Sequence, residues 1–263
     1  VVSTLDACPE LCVAPAPRSD RPFGYYVDRV FRYAVTVGTP RSDPALWRRF
    51  LDGARASYAR HGVDAALEFD RIADGRSTTL FFCALDDAGH PVAGARVQGP
   101  YERPDQTHAD REWIPRPAGR AALRDLVAAR LADGVVELKT GWVDPAVPRD
   151  RRLADMIGFS GPLAGEVLGV RHTLVTAGDH ALGLWERAGA VLVDEVPATP
   201  YPDARYRTRA LFWDRTTYTD RALPDHARRI EVAADHVRRT ALRAPDRARA
   251  AATAHSPAGQ RTP

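Results

Sequence analysis

Val135-Val136-Glu137-Leu138-Lys139-Thr140-Gly141-Trp142-Val143-Asp144-Pro145 opens the most informative stretch of the chain. Its β-branched and apolar run reads as a strand, which Asp144-Pro145 ends. After an arginine-rich turn, Leu153, Met156, Ile157, Leu163, Ala164, Val167 and Leu168 keep one helical phase between Arg151 and Leu168. Gly161-Pro162 cuts through that phase, which predicts a kinked helix or two short ones. His172 to Thr176 reads as a short buried strand, Asp179 to Ala188 as a short helix and Ala190 to Val193 as another strand. This segment is therefore a strand–helix–strand unit.

Working outward, Phe23 to Val37 is rich in aromatic and β-branched residues and predicts one strand. Ser42-Asp43-Pro44 offers a cap and an N1 proline for a helix in which Trp47, Phe50, Leu51 and Ala54 recur at helical spacing. Residues 78–85 and 92–97 flank Asp86-Asp87-Ala88-Gly89-His90 as a hairpin. Residues 101–118 read as a polar, proline-marked connection before a helix over 119–132. A last strand covers Arg205 to Trp213, and Pro224 to Leu242 reads as a helix with a thin apolar stripe that docks on its own domain or on a second subunit. The order predicts an α+β fold with a mixed, mostly antiparallel central sheet flanked by helices. Its parts are an irregular arm over 1–22, one domain over 23–218, a C-terminal helix over 219–243 and a disordered tail over 244–263.

With 263 residues, 44% hydrophobic and 27% charged, the chain has the composition of an ordinary globular domain. No apolar run is long enough to span a bilayer and the start lacks the order of a signal peptide, so a cytoplasmic protein is expected. Three cysteines are too few for a disulfide framework and read as free thiols. The net charge is only +3, and Lys139 is the one lysine, so the arginine excess reads as coding bias rather than a nucleic-acid surface. The histidines lack zinc-site spacing, so no metal is expected, and the serines include no nucleophile elbow. Neither a dinucleotide fingerprint nor a phosphate loop occurs.

Val143-Asp144-Pro145, the turn Arg149-x-x-Arg152-x-Ala154 and Ala181-x-x-Leu184-Trp185-Glu186-Arg187-x-Gly189-Ala190 together resemble the GNAT acyltransferase superfamily. In that family a Q/R-x-x-G-x-G/A turn opens a helix; here arginine stands where the first glycine falls. Val92 to Pro100 followed by Glu137-Leu138-Lys139-Thr140-Gly141-Trp142-Val143 is similar to two blocks of the autoinducer synthases and the related N-acyl amino acid synthases, with Thr140 in place of their arginine. Glu68-Phe69-Asp70 with Asp74 is a loose echo of their acidic segment.

The resemblance implies a GNAT-like sheet and transfer of an acyl group from an acyl-CoA or acyl-carrier-protein thioester to an amine, the acceptor being an amino acid or a small amine. The donor is a substrate; no tightly bound cofactor is implied. Backbone N–H groups at the start of the 151–168 helix would receive the donor's pyrophosphate, with Arg149, Asp150, Arg151, Arg152, Leu153 and Ala154 around it. Trp142, Val143 and Trp185 would line the rest of the donor site, Trp185 standing where many members carry a tyrosine that protonates the departing thiolate. Tyr201 or Tyr206 could take that role. Because residues 137, 139, 141 and 143 share one face of a regular strand, Glu137 is expected to serve as the base, held by Arg96 or Lys139. An acyl carrier protein as partner and an oligomer through the C-terminal helix are further expectations. A non-catalytic acyl-CoA-binding scaffold and an acyl-homoserine-lactone-type signal synthase are the alternatives.

Overall fold

The computed structural model of the chain describes residues 24–28, 33–147 and 151–254, with side chains described except at 151 and 241–254. The arm over 1–22 lies outside the described residues. Eight strands form one sheet in the order β1-β2-β3-β4-β5-β6-β8-β7. They are β1 (Tyr25–Asp28), β2 (Tyr33–Gly38), β3 (Leu80–Leu85), β4 (Pro91–Gln98), β5 (Val135–Val143), β6 (His172–Gly178), β7 (Val191–Leu192) and β8 (Thr208–Asp214). Every neighbouring pair is antiparallel except β5 and β6, the two strands of the predicted strand–helix–strand unit. The stretch over 23–37, expected as one strand, is split between β1 and β2, which pair with each other.

The helices are α1 (Pro44–Arg60), α2 (Asp64–Leu67), α3 (Phe69–Ile72), α4 (His108–Glu112), α5 (Pro117–Ala128), α6 (Arg151–Leu168), α7 (Leu182–Arg187) and α8 (Pro224–Ala254). At the head of α1, Asp43 accepts a hydrogen bond from the Leu46 N–H at 2.9 Å, the cap its sequence offers. On one face of the sheet, Trp47, Phe50, Leu51 and Ala54 of α1 pack on Phe81, Cys83 and Trp142. Farther along the same face, Leu123 and Val127 of α5 meet Trp113, Val135 and Leu174. The opposite face is covered by α6 through Leu153, Met156 and Leu163, and by α8 through Ile230, Ala234 and Val237. The C-terminal helix thus docks on its own domain, and it continues past Leu242 to Ala254.

Of the two forms expected, a kinked helix or two short ones, the division is not seen: α6 is one helix of 18 residues with Pro162 inside it. Its small residues set how closely it approaches the sheet. A Cβ on Gly161 would come within 2.5 Å of the Trp213 ring, so glycine here is a packing requirement. Fully buried Trp213 is locked by its own Nε1–H bond to the Ala188 carbonyl at 3.0 Å and cannot retreat. Gly161→Ala should therefore lower stability by about 1–3 kcal/mol in a denaturant titration, although alanine is the better helix former by about 1 kcal/mol. A rise in stability would show that the ring can move aside.

Candidate active site

Two irregularities in β5 make the site. The first is a bulge: Arg96 pairs with Lys139 and Gly94 with Trp142, so β5 carries one residue more than β4 across this interval. Thr140 absorbs it at a φ of 52°, a left-handed conformation that is unusual for a β-branched residue. The extra residue reverses the alternation. Val136 and Leu138 face α6 before the bulge, yet Trp142, two further pairs along, lies against α1. The expectation that 137, 139, 141 and 143 share a face is corrected accordingly.

The second irregularity is a parting of strands. Parallel pairing of β5 with β6 runs from Val135↔His172 to Leu138↔Val175 and ends there. Beyond it β5 stays with β4 and β6 stays with β8. A cleft of about 570 Å³ passes through the opening. Its wall toward α6 and α7 is apolar, formed by Ile157, Val175, Ala177, Leu184 and Trp185, whereas Tyr58, Arg96, His108, Lys139, Thr140 and Tyr201 make the opposite wall polar. Among the described residues no carboxylate lines it.

The sequence-predicted residues divide as follows. Arg96, Trp142, Val143, Ala154, Trp185 and Tyr206 line the cleft. Leu153 is fully buried in the core beneath α6, and Arg152 is exposed on its first turn. Arg149 and Asp150 lie outside the described residues, as does the Arg151 side chain. Glu137 is brought elsewhere. Fully buried and absent from the cleft wall, its carboxylate accepts from the His108 and Ala109 backbone N–H groups at 2.7 and 2.9 Å and from the Tyr101 hydroxyl at 2.9 Å. It is the anion at the N-terminus of α4, paired with neither Arg96 nor Lys139.

That helix was hidden in the polar connection. Thr107 caps it, accepting from the Asp110 N–H at 3.2 Å, and one turn brings His108 and Glu112 together with Nδ1 and Oε1 2.7 Å apart. The other ring nitrogen of His108 lies 3.3 Å from Glu68, which Arg111 also contacts at 3.0 Å. A Thr-His-x-x-x-Glu order was the available signal, a cap followed by an i, i+4 polar pair. Glu112 also binds the Lys139 ammonium, which donates in addition to Thr176 Oγ1 at 3.0 Å. The ligand atoms of His108, Glu112 and Glu137 fall within 4.8 Å of one another; both Glu137 oxygens accept from backbone N–H groups and the Lys139 ammonium sits on Glu112 Oε1, while Glu112 Oε2 has no hydrogen-bond partner among the described residues.

Electrostatics follow from this burial. Burial opposes ionisation of Glu112, but the Lys139 ammonium and the His108 ring outweigh it and hold the carboxyl down to about 2. The His108 hydrogen bond, against partial burial, holds Glu68 down to about 2 as well. Burial works against the charge of Lys139, and Glu112 and Glu137 together raise its pKa above the usual lysine value. Arg96, 2% exposed, donates from Nε to Thr140 at 2.9 Å, and burial lowers its pKa. With the Gln98 amide oriented oxygen inward, both terminal nitrogens of Arg96 reach it, at 2.7 and 3.0 Å. Burial raises the pKa of Tyr201 and of Tyr58.

No protein-family model matches the chain. The solved structure of FeeM, an N-acyl amino acid synthase from uncultured soil microbes, superposes with a TM-score of 0.50 over 73% of this chain and 96% of that one, at 12% identity. The mixed sheet, opened between the strands that make its one parallel pair among the described residues and crossed by a cleft, has the GNAT fold. Two mycobacterial proteins, uncharacterized protein Mb1391c of Mycobacterium bovis and uncharacterized protein Rv1356c of Mycobacterium tuberculosis, are each 41% identical over 198 residues, 75% of this chain and 75% of theirs. The chain belongs to their family.

Glu112 gives the site a pH signature. Its folded-state pKa is depressed to about 2 from a usual value of 4.5, so the stability it adds is fully present above 4.5 and is lost as pH falls toward 2. Glu112→Gln should cost about 3 kcal/mol or more at neutral pH, because it leaves a buried ammonium unpaired, and should flatten the acid limb between those values. Denaturant titrations of both proteins across this range check it; an unchanged acid limb would count against the pairing.

Proposed function

We propose that the protein is an N-acyltransferase that moves an acyl group from a thioester of coenzyme A, or of an acyl carrier protein, to the amine of a small acceptor by direct attack. The observation that carries this reading is the opening between β5 and β6, where an apolar wall meets a polar one across a single cleft. An acyl chain and its pantetheine arm suit the side of Ile157, Leu184 and Trp185. The acceptor suits the side of Arg96, His108, Lys139 and the tyrosines. Arrays of cations without a carboxylate disfavour polyamines and favour an amine that carries its own acid group, such as an amino acid.

The donor's pyrophosphate suits the start of α6, where the first-turn N–H groups lack partners within the helix and Arg152, with Arg149 just before it in sequence, adds charge. Arg149→Glu with Arg152→Glu should weaken acyl-CoA binding by about 1–3 kcal/mol in a calorimetric titration of the folded protein. Unchanged affinity would place the phosphates elsewhere. Trp185 carries no proton that could serve a thiolate as acid, so the leaving sulfur takes its proton from Tyr206, Tyr201 or water.

Glu137, expected as the base, has no access to the cleft, and Lys139 is already protonated. The acceptor therefore attacks as the neutral amine, its ammonium form being disfavoured by the cations in the wall. Thiol release from acyl-CoA, with amino acids as acceptors, tests the reaction. Its kcat/KM should rise about tenfold per pH unit up to the pKa of whichever acceptor is used, and should move with that pKa when the acceptor is changed. Glu137→Gln should leave this limb in place. A limb fixed at one pH for all acceptors would indicate a base on the protein.

A further inference from the structure

Lys139 is buried at the point where the sheet parts. Leu138↔Val175 is the last pair joining β5 to β6, and Lys139 and Thr176 are the next residue on each strand. The ammonium bridges the gap that lost pairing leaves, donating to Thr176 Oγ1 at 3.0 Å and to the Glu112 carboxylate. An ammonium has three N–H donors, and among the described residues these two acceptors are its hydrogen-bond partners. The side chain is only 12% exposed, yet it forms part of the cleft wall beside the Tyr201 ring, whose centroid lies 5.9 Å from Nζ, so the remaining donor has the cleft and that ring as its outlet. Glu112 is fully buried and does not line the cleft; it fixes the cation without offering substrates an anion.

We propose that Lys139 stabilises the oxyanion formed when the acceptor amine attacks the thioester carbonyl. The assignment rests on the acyltransferase reading above. In the step, the amine nitrogen forms a bond to the carbonyl carbon and the C=O π pair moves onto oxygen, which accepts the free Lys139 N–H. Collapse restores C=O and breaks the C–S bond; the thiolate leaves, and the proton lost by the amine passes to solvent or to the sulfur. Lys139 remains protonated throughout. A donor held rigidly on two sides, in a site largely shielded from water, needs no reorganisation as the charge develops.

The neutral double variant Lys139→Met with Glu112→Gln tests this without stranding a buried charge. It should keep acyl-CoA affinity within about threefold while kcat falls about 100- to 1000-fold. Since the chain holds a single lysine, protein labelled with ¹⁵N at lysine Nζ gives one ammonium resonance and reads the contact in the intact wild type. Dodecanoyl-CoA should shift that resonance, whereas dodecyl-CoA, the thioether without the carbonyl, should leave it near its free position. Equal effects from the two ligands, or wild-type kcat in the double variant, would overturn the assignment while leaving the acyltransferase reading standing. Failure to bind either ligand would overturn both.

Discussion

The carboxylate of Glu137, taken wholly out of water on a central strand, has to be met by donors, and with the Tyr101 hydroxyl the donors that meet it are the first two N–H groups of α4. Five residues are too few to hold a helix by themselves. This contact, with the Thr107 cap, seats α4 beneath the strand. From there the dependence runs in one direction. A seated α4 places Glu112 under Lys139, and the pair places an ammonium across the gap between β5 and β6. The same turn presents His108 to the cleft and to Glu68 on the far side. An acid with no access to the cleft thus decides which groups line it.

The bulge at Thr140 supplies the other half of the geometry. One inserted residue sends Trp142 to the α1 side, where Gly53 makes room for it: a Cβ there would come within 2.2 Å of the indole. The Thr140 hydroxyl, turned to the same side, accepts from Arg96 on β4. Strand separation and bulge act together, since a regular β5 would keep pairing with β6 and close the opening. The cost of holding Thr140 at positive φ, of order 1–3 kcal/mol, is the kind of local strain that persists where surrounding structure overdetermines it.

Much of this architecture was legible in the residues. The runs forming β3, β4 and β5 are apolar and β-branched, α1 announces itself with Asp43-Pro44, and the strand–helix–strand unit follows from phase alone. α4 was not, because its stabilisation comes from Glu137, 28 residues beyond Ala109, and no local pattern records a contact of that range. The Thr140 bulge was invisible for a different reason. An extra residue inside an apolar run leaves the run unbroken, so the assumed alternation put residues 141 and 143 on the same face as Glu137, which they do not share. Pro162 does not divide the helix: α6 runs through it, with Gly161 pressed against Trp213. Of the candidate site, Trp142, Val143, Ala154 and Trp185 line the cleft, while Leu153 and Glu137 are buried away from it.

The charge distribution around the opening has a logic of its own. Arg96, His108 and Lys139 reach the cleft; Glu112, which binds both His108 and Lys139, stands behind them, and Glu68 meets the other ring nitrogen of His108. A cation paired from behind stays charged without attracting a cationic substrate, because the anion is screened from the cleft by the very group it holds. Such a wall raises the free energy of an ammonium and lowers that of an oxyanion, which are the reactant to be avoided and the intermediate to be reached in amide formation. Under the proposed acyl transfer, the acids behind these cations serve as fixed counter-charges, and the site would obtain its nucleophile neutral instead of making it so.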